Sequence, residues 1–148
     1  LLRVGFKEPA HKREPQELTD DLIYELQISN HIRNRSFSKA LDLMEGPSEK
    51  QSPEILFYRG FCFIQEKRYL KALKYLTRAI QLKPDYFRAL KYAGIAHYRL
   101  GNLRKCESYW NQARAIRPDD SLIESKYPEV IKRLERQKVL LGRKQMNE

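Results

Sequence analysis

The chain of 148 residues has no long hydrophobic run, no closely spaced cysteine pair and no cluster of histidines. A helix that spans a bilayer needs about 18 or more consecutive apolar residues, and no stretch approaches that length, so no transmembrane segment is expected. "LLRVGF" at the start is too short for the apolar centre of a signal peptide. The first residue is Leu1 rather than Met, as expected of numbering that begins inside a longer product. Cys62 and Cys106 lack the spacing of a metal knuckle or a redox pair. They read as small buried apolar side chains, and being unpaired they favour a soluble, cytoplasmic setting. The six glycines are scattered, which excludes a phosphate-binding loop, and there is no nucleophile elbow. His11, His31 and His97 have no carboxylate or cysteine companions at ligand spacing. Asp119 and Asp120 follow Pro118 and read as caps for a following helix, not as an acid pair. No catalytic residue, metal or cofactor is therefore expected, and the chain reads as a non-enzyme.

Negative charge is also scarce. The 29 Lys and Arg residues outnumber 19 Asp and Glu, a formal net charge of +10, and the excess is uneven. Residues 1–52 hold 8 basic against 9 acidic side chains, residues 53–120 hold 14 against 6, and residues 121–148 hold 7 against 4. The positive field belongs to the middle and the end, where it would draw an acidic partner. Glycine and proline are too few for a low-complexity chain, and the length suits one domain with a real core.

What the chain does contain is one unit written twice. Gly60 and Gly94 are 34 residues apart, and so are Leu56 and Leu90, Ala72 and Cys106, Leu76 and Trp110, Ala79 and Ala113, and Pro84 and Pro118. Within each unit the apolar residues recur at helical spacing, as in Leu56, Gly60 and Phe63, then Ala72, Leu76 and Ala79. "EKRY" and "RLGNL" between these stretches are short enough to join antiparallel helices. Each unit is thus a helical hairpin closed by Pro84 or Pro118. The small residues allow the paired helices to approach closely.

These residues resemble the tetratricopeptide repeat, with its period of 34 and its glycine, alanines and proline at these offsets. Arg59 stands where that family usually has Leu, and His97 where it usually has Tyr. Both read as packing residues along a seam, His97 in a place equivalent to His31. The resemblance implies an all-α fold: a short right-handed superhelix of stacked antiparallel helix pairs with a C-terminal capping helix. It covers residues 53–86 and 87–120. A worn copy over residues 18–46 precedes them, in which Phe37, Ala40 and Met44 repeat the spacing of Tyr69, Ala72 and Leu76. Thr19 is its helix cap, and Ile28, in place of the glycine, predicts looser or differently angled packing. Residues 1–17 read as a basic, proline-containing linker or extension. Residues 121–142 read as capping helices, a short one over "SLIESK" and a second opening at Pro128, with Val130, Ile131, Leu134, Val139 and Leu141 on its apolar side. Residues 143–148 read as a frayed tail.

In tetratricopeptide proteins the first helices of the units form an inner wall that often receives an extended peptide. The resemblance places Glu54, Phe57, Tyr58, Phe61 and Gln65 on that wall in one unit, and Arg88, Lys91, Tyr92, Ile95 and Arg99 in the next. All but Glu54 are taken as candidate partner-binding residues. Rigid aromatic area beside cations suits a protein or peptide segment with apolar or aromatic anchors and acidic residues. Alternatively, a neighbouring helix, the N-terminal segment or a second copy covers Phe57 and Phe61 and makes them core. Some family members hold acidic chaperone tails through a clamp of Lys and Asn. Here Phe57 and Phe61 occupy clamp positions, so that activity is not implied. Two other readings remain: single-stranded nucleic-acid binding by the basic surface, and self-association into a homo-oligomer through an apolar edge of the worn hairpin.

Overall fold

The computed structural model describes residues 19–47 and 51–148, and the extension expected over residues 1–17 lies outside them. Among the described residues there are seven helices and no strand. Three antiparallel pairs, α1 (Asp20–Arg33) with α2 (Phe37–Leu43), α3 (Pro53–Gln65) with α4 (Tyr69–Leu82), and α5 (Phe87–Arg99) with α6 (Leu103–Ile116), are followed by α7 (Ser121–Met146). Thr19 accepts the Leu22 amide at 3.3 Å to start α1, with Asp20 and Asp21 set against the positive end of the helix dipole. Ser52 accepts the Ile55 amide at 3.3 Å to start α3, and Pro53 follows where a missing N–H costs nothing.

The turns inside the three pairs are built alike, that of the worn first copy included. Each contains one residue in the left-handed region: Arg35 with φ 58°, Lys67 with φ 59° and Gly101 with φ 79°. In each, the next amide reaches back over the turn, Ser36 to His31, Arg68 to Phe63 and Asn102 to His97, at 2.8 to 2.9 Å. Only the last turn has the residue that adopts this conformation at little cost. The second helices also end alike. The Lys83 and Arg117 amides bond to the Ala79 and Ala113 carbonyls at 2.9 Å, one residue ahead of Pro84 and Pro118.

Direct contacts of α3 with α1 and α5 make the first helices a continuous wall, while α2 packs on α3 and α4 on α5 from the other side. The stack is superhelical, and the spacing within its pairs is set at two glycines. A Cβ on Gly60 would lie 2.6 Å from Leu76 Cγ, and one on Gly94 would collide with the indole of Trp110. Leu76 and Trp110 are almost wholly buried, and Trp110 Nε1 donates to the Lys91 carbonyl at 3.0 Å. In the first pair Ile28 takes the glycine's place, and α2 is only 7 residues long. Ile28 instead buries itself against Ala40, Met44, Ile55 and Cys62.

The two departures from the family pattern sit in the packing. Arg59 donates to the Gly46 carbonyl at 3.0 Å, to Gln51 Oε1 at 2.7 Å and to the Tyr75 hydroxyl at 2.9 Å, tying the link after α2 to the second pair. Its guanidinium lies 4.2 Å from the centre of the Tyr75 ring. His97 is buried and stacks on Tyr109 with ring centroids 5.5 Å apart. Burial, and then the charge of Lys105, hold its pKa below the ordinary imidazole value. Cys62 and Cys106 are free thiols, and burial pushes both up to about 12.

The C-terminal segment differs from expectation. No break occurs before Pro128 and the helix continues past residue 142: α7 is one helix of 26 residues with Pro128 inside it. A proline there gives up the bond to the Glu124 carbonyl. Pro128 lies on the exposed side, and Ile123 before it and Val130 and Leu134 after it bury into one cluster with Trp110 and Leu90. Tyr127 is held too, its hydroxyl donating to Asn111 Oδ1 at 2.6 Å beneath the Arg114 guanidinium. Packing on both sides of the proline outweighs the lost bond. Val139 and Leu141 are exposed, because α7 outruns the helices it covers.

Gly94→Ala is expected to lower stability by roughly 1–3 kcal/mol, since the indole is pinned by its hydrogen bond and cannot retreat. Gly142→Ala, at a helical position with nothing within 4 Å, should raise it by roughly 0.5–1 kcal/mol. Urea unfolding of the two variants checks both signs, and a Gly94→Ala chain as stable as the parent would contradict the close approach.

Candidate functional site

The three-and-four spacing of Phe57, Tyr58 and Phe61 on α3, and of Arg88 and Tyr92 on α5, brings these five side chains together on the inner wall. Phe57 is the hub. Its ring centroid lies 5.7 Å from those of Tyr58 and Tyr92, 5.5 Å from that of Tyr86 and 6.1 Å from that of Phe61. Phe61 and Tyr92 meet edge to face at 5.1 Å. The Arg88 guanidinium covers Phe57, 4.4 Å from its centre, and reaches Tyr58 at 5.8 Å.

Phe57 is therefore corrected from a contact residue to core: it is 0% exposed, roofed by α5 and its flanking tyrosine. The alternative in which a neighbouring helix covers it holds for this residue. Phe61 remains half-buried, with Phe37 of α2 at its edge, 6.4 Å away. Tyr58, Tyr86 and Tyr92 are also half-buried, so an accessible aromatic surface rests on the Phe57 foundation.

The cations divide. Lys91 is corrected from a free charge to an ion-paired one, because its Nζ lies 2.8 Å from Asp120 Oδ2, with side chains only 19% and 12% exposed. Asp120 also accepts the Leu122 and Ile123 amides, each at 3.1 Å, and so caps α7. Burial alone would raise the Asp120 carboxyl, but Lys91 and these amides outweigh it and hold the pKa below its ordinary value. Arg88 and Arg99 are exposed, and neither joins an ion pair among the described residues. Gln65 and Arg99 are the exposed last residues of α3 and α5, at one end of the wall. Ile95 is half-buried against both main core clusters, and Glu54 is half-buried in the first turn of α3. Burial pushes the Tyr86 hydroxyl up to about 12 despite the nearby Arg88 charge.

Tyr86, Asp120 and Phe37 lie beside these residues: the sequence reads Asp120 as a helix cap and Phe37 as a repeat position, but sets none of the three at the wall. A signal existed: Ser52, Tyr86 and Asp120 are 34 residues apart, and each immediately precedes a first-type helix. Among the described residues no group of three or more His, Cys, Asp or Glu is placed to hold a metal ion, and no helix is long and apolar enough to cross a membrane.

Phe57→Ala should cost roughly 3–5 kcal/mol of stability, as truncation of a buried aromatic does, whereas Arg99→Ala should leave stability nearly unchanged. Asp120→Asn retains a capping side chain but loses the charge, an expected loss of roughly 1.5–3 kcal/mol at neutral pH. The depressed carboxyl stabilises the fold above its ordinary value of 3.8, and that contribution is lost as pH falls through its lower folded value. The gap between wild type and Asp120→Asn in denaturant unfolding should therefore close at acid pH, and a gap that persists there would remove the ion pair as its cause.

Residues 63–126 match the family model described as "Tetratricopeptide repeat". No curated protein matches the chain. Among solved structures, the second TPR domain of human RPAP3 in complex with the HSP70 peptide SGPTIEEVD aligns with a TM-score of 0.66 at 16% identity, over 72% of this chain and 91% of that one. The Sgt2 TPR domain from Aspergillus fumigatus aligns with a TM-score of 0.70 at 15% identity, over 84% and 87%. The Yersinia enterocolitica type III secretion chaperone SycD, in complex with a peptide of the translocator YopD, aligns with a TM-score of 0.62 at 16% identity, over 83% and 97%. Residues 63–126 thus match the tetratricopeptide-repeat model, and the helical stack around them has the fold of tetratricopeptide-repeat domains.

Proposed function

We propose that the chain is a non-catalytic protein–protein interaction scaffold whose inner wall takes an extended segment of a partner. The observation that carries this reading is the half-buried surface of Tyr58, Phe61 and Tyr92 beside Arg88, a cation with no carboxylate partner among the described residues. Phe57 acts from beneath, as the support that keeps those rings rigid, so little side-chain entropy is lost on binding. An apolar or aromatic anchor of the partner packs on Phe61 and Tyr92. Its acidic residues pair with Arg88 and, further along, with Arg99 near Gln65. Lys91 contributes nothing to that attraction while Asp120 neutralises it.

Peptide complexes of RPAP3 and SycD support the use of such a fold for segment recognition. An acidic chaperone tail is not the ligand proposed, because Phe57 and Phe61 stand in the clamp positions and Phe57 is sealed. The basic residues of the outer helices do not make a stripe for nucleic acid. Lys71 and Lys74 lie over Phe63 and Tyr75 at 4.9 and 5.7 Å, and Arg114 pairs with Glu124 at 3.3 Å.

Peptides selected from a display library on the immobilised protein should carry an aromatic or bulky apolar residue close to Asp or Glu. Arg88→Glu combined with Arg99→Glu, at exposed positions, should weaken the selected peptides at least about tenfold in calorimetric titration. That variant should stay folded, with a loss of stability no larger than the roughly 1 kcal/mol of the Arg88 stacking on Phe57. Equal affinity for the double variant would remove the inner wall from the proposal. Tight, steeply salt-dependent binding of single-stranded RNA in place of peptides would favour the nucleic-acid reading.

A further inference from the structure

The two ends of the array carry complementary surfaces that the inner wall does not use. At the C-terminal end, α7 has its last buried residue at Leu134, and Gln137 lies against the α5–α6 turn. From Val139 to Met146 the helix projects beyond the stack, roughly 12 Å at helical rise. Val139, Leu140 and Leu141 are 54%, 61% and 56% exposed on this overhang. Residues 136–146 carry Arg136, Lys138, Arg143 and Lys144 and no acidic residue. Lys132, Arg136, Val139, Leu140 and Arg143 line one shallow concavity with the single carboxylate Glu135 at its inner end, so cations in excess and apolar groups are interleaved on a single face.

At the N-terminal end α1 has the opposite character. It buries only Ile28 fully, and Ile23 and Leu26 are 39% and 53% exposed. Asp20, Asp21 and Glu25 are exposed around them. Successive residues turn by about 100°, which brings Leu22, Ile23 and Leu26 into one outward strip with Asp20 on one side and Asp21 and Glu25 on the other.

We propose that the overhang of α7 docks on the outward face of α1 of a second copy, so that the chain associates head to tail. Leu140 and Val139 of one copy pack on Ile23 and Leu26 of the next, while Arg136 and Arg143 meet Asp20, Asp21 and Glu25. Charge pattern selects this occupant over two others. Two α7 overhangs facing each other would set the Arg136 and Arg143 of one against those of the other, at a cost set by like-charge repulsion. A lipid surface takes up a continuous apolar face with cations at its margins, whereas here Arg136 and Arg143 fall between Val139 and Leu140 around the helix. The contact is small beside the roughly 1,600 Å² of a standard stable interface, so association is weak, sensitive to salt and, being heterologous, open to further growth. It does not depend on what the inner wall binds.

Sedimentation velocity of the full chain tests this. Wild-type apparent mass should rise with concentration beyond two copies at low salt and fall back as salt is added. Leu26→Lys, which blocks the α1 face, and Arg136→Glu with Arg143→Glu, which blocks the overhang, should each be monomeric, since all three positions are exposed and folding is unaffected. An equimolar mixture of the two variants retains one working face of each kind, and should form a dimer that grows no further. A wild-type chain that stays monomeric throughout overturns the proposal. So does a Leu26→Lys variant that still dimerises, the outcome of pairing through α7 alone, or a monomeric wild type that co-sediments with vesicles of anionic phospholipid.

Discussion

Close approach at Gly60 and Gly94 determines where everything else can be. Leu76 and Trp110 enter the space those residues leave open, and the helices of each pair settle at the resulting distance. Trp110 then reaches the backbone of the neighbouring helix at Lys91, which locks the rotation of α5 relative to α6. That rotation aims Arg88 and Tyr92 at α3 and brings Lys91 within reach of Asp120. The inner wall is thus a consequence of packing on the far side of its own helices.

Its chemistry follows from how the cations are spent. Of the three expected on the wall, one is neutralised by a carboxylate that also caps α7, one is stacked on a buried ring, and one stands free at the end of its helix. On the outer helices, too, Lys71, Lys74 and Arg114 lie over aromatic rings. Those contacts fix where the cations sit without neutralising them, and only Arg68, Lys91 and Arg114 pair with a carboxylate among the described residues. Arg88 and Arg99 are the wall cations left without a carboxylate partner among the described residues.

The register of the repeat was legible because a 34-residue period appears in glycines, small residues and prolines at once, and each has a separate physical reason to recur. The hidden parts are those that depend on how far a neighbour extends. The resemblance assigns Phe57 to the inner wall, but neither it nor helical spacing can say that Tyr86 and α5 close over the ring. Lys91 reads as free in the sequence because its partner lies 29 residues onward, beyond the reach of helical spacing. Pro128 looked like a helix start because proline often is one, and only the burial of Ile123 beside Val130 shows why the helix continues. The apolar residues near 140 have the right spacing for a core, but the helices beneath them have already ended.

The two thiols lie in separate parts of the core, Cys62 with Ile28 and Met44 and Cys106 with Trp110 and Ile123. Stacked repeats interact mainly with their nearest neighbours, so the ends of such an array can open independently. Shielded from solvent and kept in the unreactive SH form, each sulfur becomes available to an alkylating reagent only when its own surroundings loosen. The molecule therefore carries a native chemical clock at each half, able to time the breathing of one against the other without any added label.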